Sequence, residues 1–306
     1  MNSLYFLLCA STHRLAAILT VMGLTFNGSM LQAQTLTQSV SEVRESKQMD
    51  ESANPVQEAS EVYTFEGDGQ PADTGRKGGA SRGNCPYLEP SQSELKPLLL
   101  TALMPKTNLA LTLSDRPTFW FYIPYTIAQY ERATFVLEDS AKNPILHPPL
   151  TVEVDLSDIP GIIGVLLPSD AQPLELDRDY HWYFWLECSP TEPSKNLRVD
   201  GWVKRVSPDS ETENGKVMNL VTPEELAELL VQLEQAQTPK ERFVAYATHH
   251  IWLDALTEIA QDRLADNPLW TDRDKDWSDL LRSVNCEPLS YTDVYCADED
   301  SLMTDD

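Results

Sequence analysis

The chain has 306 residues, 42% of them hydrophobic, and a formal net charge of -25, enough length for one large domain or two ordinary ones. Charge of that sign and size opposes nonspecific attraction to nucleic acid and to anionic lipid headgroups. Its distribution divides the chain: residues 1–74 carry 9 acids and 3 bases, residues 75–206 carry 16 and 13, and residues 207–306 carry 23 and 7.

The amino terminus begins with His13 and Arg14, continues through apolar Leu15 to Leu24, and ends in small and polar residues at Leu31-Gln32-Ala33-Gln34. Positive, apolar and small residues in that order predict a secretory signal peptide over 1–33, cleaved after Ala33. An uncleaved anchor is the rival, but neither apolar run reaches the roughly 18 to 20 residues a span needs, so no stable transmembrane segment is expected after cleavage. A lipoprotein reading of Leu7-Leu8-Cys9 is weaker because Leu8 is too large for the position before a lipidated cysteine. Residues 34–74 lack periodicity and are rich in Ser, Glu, Gln and Asp, which predicts a disordered linker.

Export bears on the cysteines. Cys9 would leave with the signal, and Cys85, Cys188, Cys286 and Cys296 remain, an even number in an oxidising compartment. Of the three connectivities, Cys85 to Cys188 with Cys286 to Cys296 is favoured because each pair then lies within one compositional zone. A metal site is the poorer reading, since no CxxC spacing occurs.

From 75 to 206 the pattern is that of strands. Leu109, Leu111 and Leu113 alternate with polar neighbours; Phe119, Phe121 and Ile123 alternate with Trp120 and Tyr122 until Pro124. Ala133 to Leu137, Leu150 to Val154 and Ile162 to Leu167 are further short strands, and Pro160-Gly161 and Pro168 punctuate them. Tyr180-His-Trp-Tyr-Phe-Trp-Leu-Glu-Cys188 is aromatic on both alternating faces, so it needs cover on both sides. Val199 to Val206 closes the region. Short strands at this spacing, with no long helical pattern between them, predict an antiparallel β-sandwich. Leu174 to Tyr180, followed by alternating Trp182, Phe184 and Leu186, looks like the tyrosine corner of immunoglobulin-like sandwiches, in which the hydroxyl ties back to upstream backbone. Cys188 lies eight residues after Tyr180 instead of two, which separates the chain from antibody domains.

Six segments in order across residues 75–206 carry a family resemblance. They are Gly75-Arg-Lys-Gly-Gly-Ala-Ser-Arg-Gly-Asn-Cys85, Leu100-Thr-Ala-Leu-Met-Pro-Lys-Thr-Asn-Leu109, Pro117-Thr-Phe-Trp-Phe-Tyr-Ile-Pro-Tyr125, Pro160-Gly-Ile-Ile, Tyr180-His-Trp-Tyr-Phe and Gly201-Trp-Val-Lys-Arg-Val206. Together they resemble the cyanobacterial family known as domain of unknown function 928, and Ala255 to Leu281 looks like that family's helical tail. The resemblance implies an exported protein without an assigned activity.

Residues 216–285 read as helical. Thr222-Pro223-Glu224-Glu225 and Thr238-Pro239-Lys240-Glu241 each combine an N-cap, a first-turn proline and a capping-box acid. Leu226, Leu229, Leu230 and Leu233 follow the first. Phe243, Tyr246, Ala247, His250, Ile251, Asp254, Ala255 and Ile259 continue the second along one face. A third helix is expected around Trp277, Leu280, Leu281 and Val284, with 286–306 an acidic tail. The apolar helix faces need a partner, and the outer face of the aromatic strand is the expected one.

Chemistry is weakly signalled. The Gly75 to Gly83 run lacks the Gly-Lys-Ser/Thr ending of a phosphate loop. Asp179, His181 and Ser189 assemble a triad on paper, but Ser189 lies beyond the strand and no Gly-x-Ser-x-Gly occurs. His249, His250 and Asp254 lack the His-Glu-x-x-His pattern, and His250 is expected in the core. Asp272, Asp274, Asp276 and Asp279 have Trp277 where a calcium loop needs glycine and Ser283 where it needs glutamate, so an acidic helix start is expected instead. The open set is His181, Tyr183 and Trp185, facing away from the sandwich and joined by Trp202, as a ligand-binding surface. The expectation is an exported binding or assembly module of the cell envelope, periplasmic or extracellular, without cofactor or metal, whose partner is a protein or glycan and not nucleic acid. The alternatives are an envelope hydrolase and a carbohydrate-binding module using the outward aromatics.

Overall fold

The structure is a computed structural model that describes Cys85 and residues 99–126, 129–145, 150–152, 160–189, 191–192, 196–212, 215–217, 220–265, 270–296 and 302–303. The expected signal peptide (1–33) and linker (34–74) lie outside the described residues.

The strands are β1 (Thr101–Ala102), β2 (Leu109–Thr112), β3 (Thr118–Ile123), β4 (Arg132–Asp139), β5 (Leu150–Val152), β6 (Gly161–Leu166), β7 (Asp179–Glu187) and β8 (Leu197–Arg205). Four helices follow, α1 (Pro223–Gln235), α2 (Pro239–Thr248), α3 (Trp252–Leu264) and α4 (Arg273–Ser283), then a 3-10 turn (Glu287–Leu289), β9 (Val294–Cys296) and β10 (Leu302–Met303). The strands form a four-stranded sheet ordered β1-β3-β6-β9 and a six-stranded sheet ordered β10-β5-β4-β7-β8-β2. The expectation of an all-antiparallel sandwich is corrected in two places: β2 runs parallel to β8, and β9 runs parallel to β6. Both strands of the expected acidic tail extend the sheets, because a chain returning from the helices can add a strand in either direction at a free edge.

Alternation decides which side chains meet between the sheets. On β3, Phe119 and Phe121 face the six-stranded sheet: Phe119 lies 4.8 Å from Phe135, and Phe121 stacks on Phe184 at 4.2 Å and meets Trp182 edge-on at 5.4 Å. Tyr180, Trp182, Phe184 and Leu186 on β7 are fully buried. The expected corner is present, since the Glu175 amide donates to the Tyr180 hydroxyl at 2.9 Å.

Both expected capping boxes form, at Thr222 with Glu225 and at Thr238 with Glu241. Among the described residues the helices number four where about three were expected. The long second pattern breaks at His249 and His250, and His250 adopts a positive φ of 61°, which ends α2 and lets α3 start at Trp252. Of the pair, His249 is the buried one, its Nδ1 2.8 Å from the Ala245 carbonyl.

It is α3 that packs on the four-stranded sheet and the β2 edge, while the outer face of β7 stays partly exposed. The indole of Trp120, on the outer face of β3, donates to Thr257 of α3 at 3.1 Å, and Trp252 of α3 donates to the Leu103 carbonyl at 2.9 Å. Asp254 of α3 accepts from the Leu113 amide at 3.2 Å. One continuous hydrophobic core runs through both sheets and the helices.

Candidate functional site

The outer face of the six-stranded sheet carries the sequence-predicted set. Pairing places Glu138, His181 and Trp202 in one cross-strand row, Val136, Tyr183 and Asp200 in the next, and Thr134, Trp185 and Arg198 in a third. On β7 the alternation is complete: every second residue is buried and His181, Tyr183 and Trp185 are partly exposed.

These side chains are joined. The His181 and Trp202 rings stack with centroids 4.3 Å apart and planes 5° from parallel. His181 sits between two polar partners, with Nε2 3.0 Å from Asp200 Oδ2 and Nδ1 2.8 Å from the Tyr183 hydroxyl. A neutral imidazole satisfies both contacts when Nε2–H donates to Asp200 and the Tyr183 hydroxyl donates to Nδ1. Arg198 covers the Tyr183 ring at 4.6 Å and reaches Asp200 at 3.8 Å. Burial raises the Tyr183 hydroxyl pKa above its ordinary value, and Glu138 and Asp200 add to the rise while Arg198 opposes it. The hydroxyl therefore stays protonated and able to donate at neutral pH.

Tyr183, Trp185, His181 and Trp202 thus share one face, and His181, Tyr183 and Trp202 are in contact. Arg198 and Asp200 complete the group, and sequence reading missed them. Their signal was available: they alternate on β8 with the inward Val199 and Gly201, on the same face as Trp202.

The remaining constellations separate. Asp179 pairs with Lys204 at 3.0 Å, and the Ser189 hydroxyl lies 3.3 Å from Thr191, so the paper triad does not assemble. Both nitrogens of His181 are already committed. Asp272 precedes α4 as its cap residue, and the other acids of the would-be calcium loop have cationic partners: Asp274 with Arg263, Asp276 with Lys240, Asp279 with Lys275 and Arg282. Trp270 also donates to Asp276 at 2.8 Å.

Cys85 and Cys188 form a disulfide with Cα atoms 4.9 Å apart, closing a separation of 103 residues. The buried Cys286 thiol lies 3.7 Å from the Val284 carbonyl. The Cys296 side chain, its expected partner, lies outside the described residues.

Two facing mixed sheets with four helices toward the carboxy terminus, and a hydrogen-bonded aromatic face on the larger sheet, define the class of protein. The chain belongs to the family described as Domain of Unknown Function (DUF928), whose model matches residues 77–293. No curated protein and no solved structure matches it. Among the described residues, no helix is long and apolar enough to cross a membrane.

Proposed function

We propose that the chain is an exported, non-catalytic binding or assembly module of the cyanobacterial cell envelope, built on an immunoglobulin-like sandwich and engaging a protein or glycan through the outer face of β7 and β8. The observation that carries this reading is that the outer face of β7 stays partly exposed while α3 packs on the four-stranded sheet and the β2 edge. His181, Tyr183, Trp185, Arg198, Asp200 and Trp202 therefore keep a partly exposed surface that joins aromatic rings to a charge pair. Surfaces of this composition, with aromatic and Arg side chains among polar groups, are those that protein interfaces favour. The sandwich assignment is supported by the two sheets facing each other across Phe119, Phe121, Trp182 and Phe184 and by the Tyr180 corner. Export is supported by the Cys85–Cys188 disulfide, since such bonds persist in oxidising compartments. The hydrolase alternative has less support, because the groups that bind His181 leave it no nitrogen with which to activate water or a serine.

Replacing Arg198 with a photo-crosslinking amino acid in the native cells tests the surface. A discrete adduct is expected from position 198 and not from exposed Lys142. Equal labelling at both positions, or none, would overturn the reading. Export is checked separately by amino-terminal sequencing of the envelope fraction, where the mature chain is expected to begin at Gln34.

A further inference from the structure

Residues 207–306 hold 23 acids and only 7 bases, yet Arg263, Arg273, Lys275 and Arg282, four of those bases, gather on the end of α3 and on α4. Three of them line an open pocket of about 450 Å³ between these helices and the turn before β9, a volume in the range of small-molecule sites. The bases do not make the pocket cationic. Arg263 pairs with Asp274, Lys275 with Asp279 at 3.2 Å, and Arg282 with Asp279 and with Glu287 at 2.8 Å.

A wall of compensated ion pairs gives a net anion or cation little advantage. It does supply fixed donors and acceptors side by side, and the Ser278 hydroxyl adds a group that can do either, while Ser290 gives its proton to Ser278 or to the Glu287 carbonyl. Tyr291 stands at the rim with 97% of its surface exposed. Backbone hydrogen bonds fix the turn that carries it, since the Thr292 amide donates to the Leu289 carbonyl and the Ser290 amide to the Glu287 carbonyl. An exposed aromatic ring beside alternating donors and acceptors matches a molecule with an apolar face and hydroxyls on its edge.

We propose that the α3–α4 pocket binds a neutral saccharide, one pyranose ring stacking on Tyr291 while its hydroxyls exchange hydrogen bonds with Asp274, Ser278 and Arg282. The site is separate from the β7–β8 face and does not depend on it.

Calorimetric titration of the full chain with cellohexaose, chitohexaose and oligogalacturonate tests the assignment. At least one neutral hexasaccharide is expected to bind, and Tyr291→Ala is expected to weaken it by about tenfold or more. Because Tyr291 is almost wholly exposed, that variant folds as the parent does, which circular dichroism verifies. Ser278→Ala is a second probe of the wall. Lys142→Ala, at an exposed position outside the pocket, should leave the affinity unchanged; if Trp185→Ala abolishes binding while Tyr291→Ala does not, the saccharide occupies the sheet face and the pocket assignment is wrong. Binding of oligogalacturonate alone, or of no sugar at about 10 mM, would equally overturn it.

Discussion

Trp182 lies directly over Gly201, its cross-strand partner: a Cβ on Gly201 would come within 2.4 Å of the indole Cζ2 and within 2.8 Å of Asn108 Oδ1. The glycine is the notch that makes room for the largest buried side chain of β7. Gly201→Ala is therefore expected to force Trp182 out of place and to cost about 1–3 kcal/mol of stability, the range for overpacking a filled core. Urea denaturation measures it. An unchanged midpoint would mean that Trp182 can move aside freely.

The His181–Trp202 stack should be energetically coupled and not merely adjacent. Removing either ring leaves the other with less cover, and removing His181 also takes a partner from the Tyr183 hydroxyl and from Asp200. A double-mutant cycle of His181→Ala and Trp202→Ala is expected to give a coupling of about 0.5–1.5 kcal/mol, typical for ring pairs. Additive losses would show that the contact contributes shape but no energy.

Much of the strand order and the two capping boxes were legible because alternation, prolines and cap residues are local signals. The cover of β7 was not. Both β3 and β7 are aromatic on two faces, so the chain offers the helices two docking sites of similar appearance. What separates them is cross-strand company that only pairing reveals: outward Trp120 faces Gly164, whose missing side chain leaves room for the indole, while outward His181 and Tyr183 face Trp202 and Asp200. The first face is apolar and needs a helix; the second pairs its polar groups with one another and stays partly exposed without one. The parallel pairing of β9 was hidden for a related reason, since its partner β6 lies more than a hundred residues earlier.

The tyrosine corner makes a narrower prediction. Tyr180 is fully buried and its hydroxyl receives the Glu175 amide, so Tyr180→Phe removes the acceptor and leaves that amide unpaired. A loss of about 1–3 kcal/mol is expected by chemical denaturation. A neutral result would show that water replaces the hydroxyl.

The Cys85–Cys188 bond ties the segment before β1 to the end of β7. Restricting the unfolded chain over 103 residues is worth more than closing a short loop. Replacing both cysteines with serine is expected to cost about 2–5 kcal/mol, read as a lower denaturation midpoint than that of the oxidised parent. Equal midpoints would show that the bond is held by packing already complete without it.

Asp254 makes stability depend on pH in the direction opposite to a surface carboxylate. Although the residue is only partly exposed, its carboxyl turns into the seam between α3 and β2, where burial raises its pKa from 3.8 to about 6 despite hydrogen bonds from Thr112 and Leu113. Glu258 on the same helix adds to the rise, and its own charge is held by Arg242 at 2.8 Å. Because the folded value lies above the unfolded one, the protonated carboxyl is the form that folding favours. Its contribution is complete below about pH 4 and disappears as pH rises through 6. Ionisation then costs up to about 3 kcal/mol. Asp254→Asn keeps a neutral group of the same shape, so its stability relative to the parent should climb by up to that amount between pH 4 and 7. Taking the difference between the two proteins cancels the ordinary carboxylates, which act with the opposite slope. A difference that stays level across this range would mean that Asp254 is ionised in the seam at all these pH values.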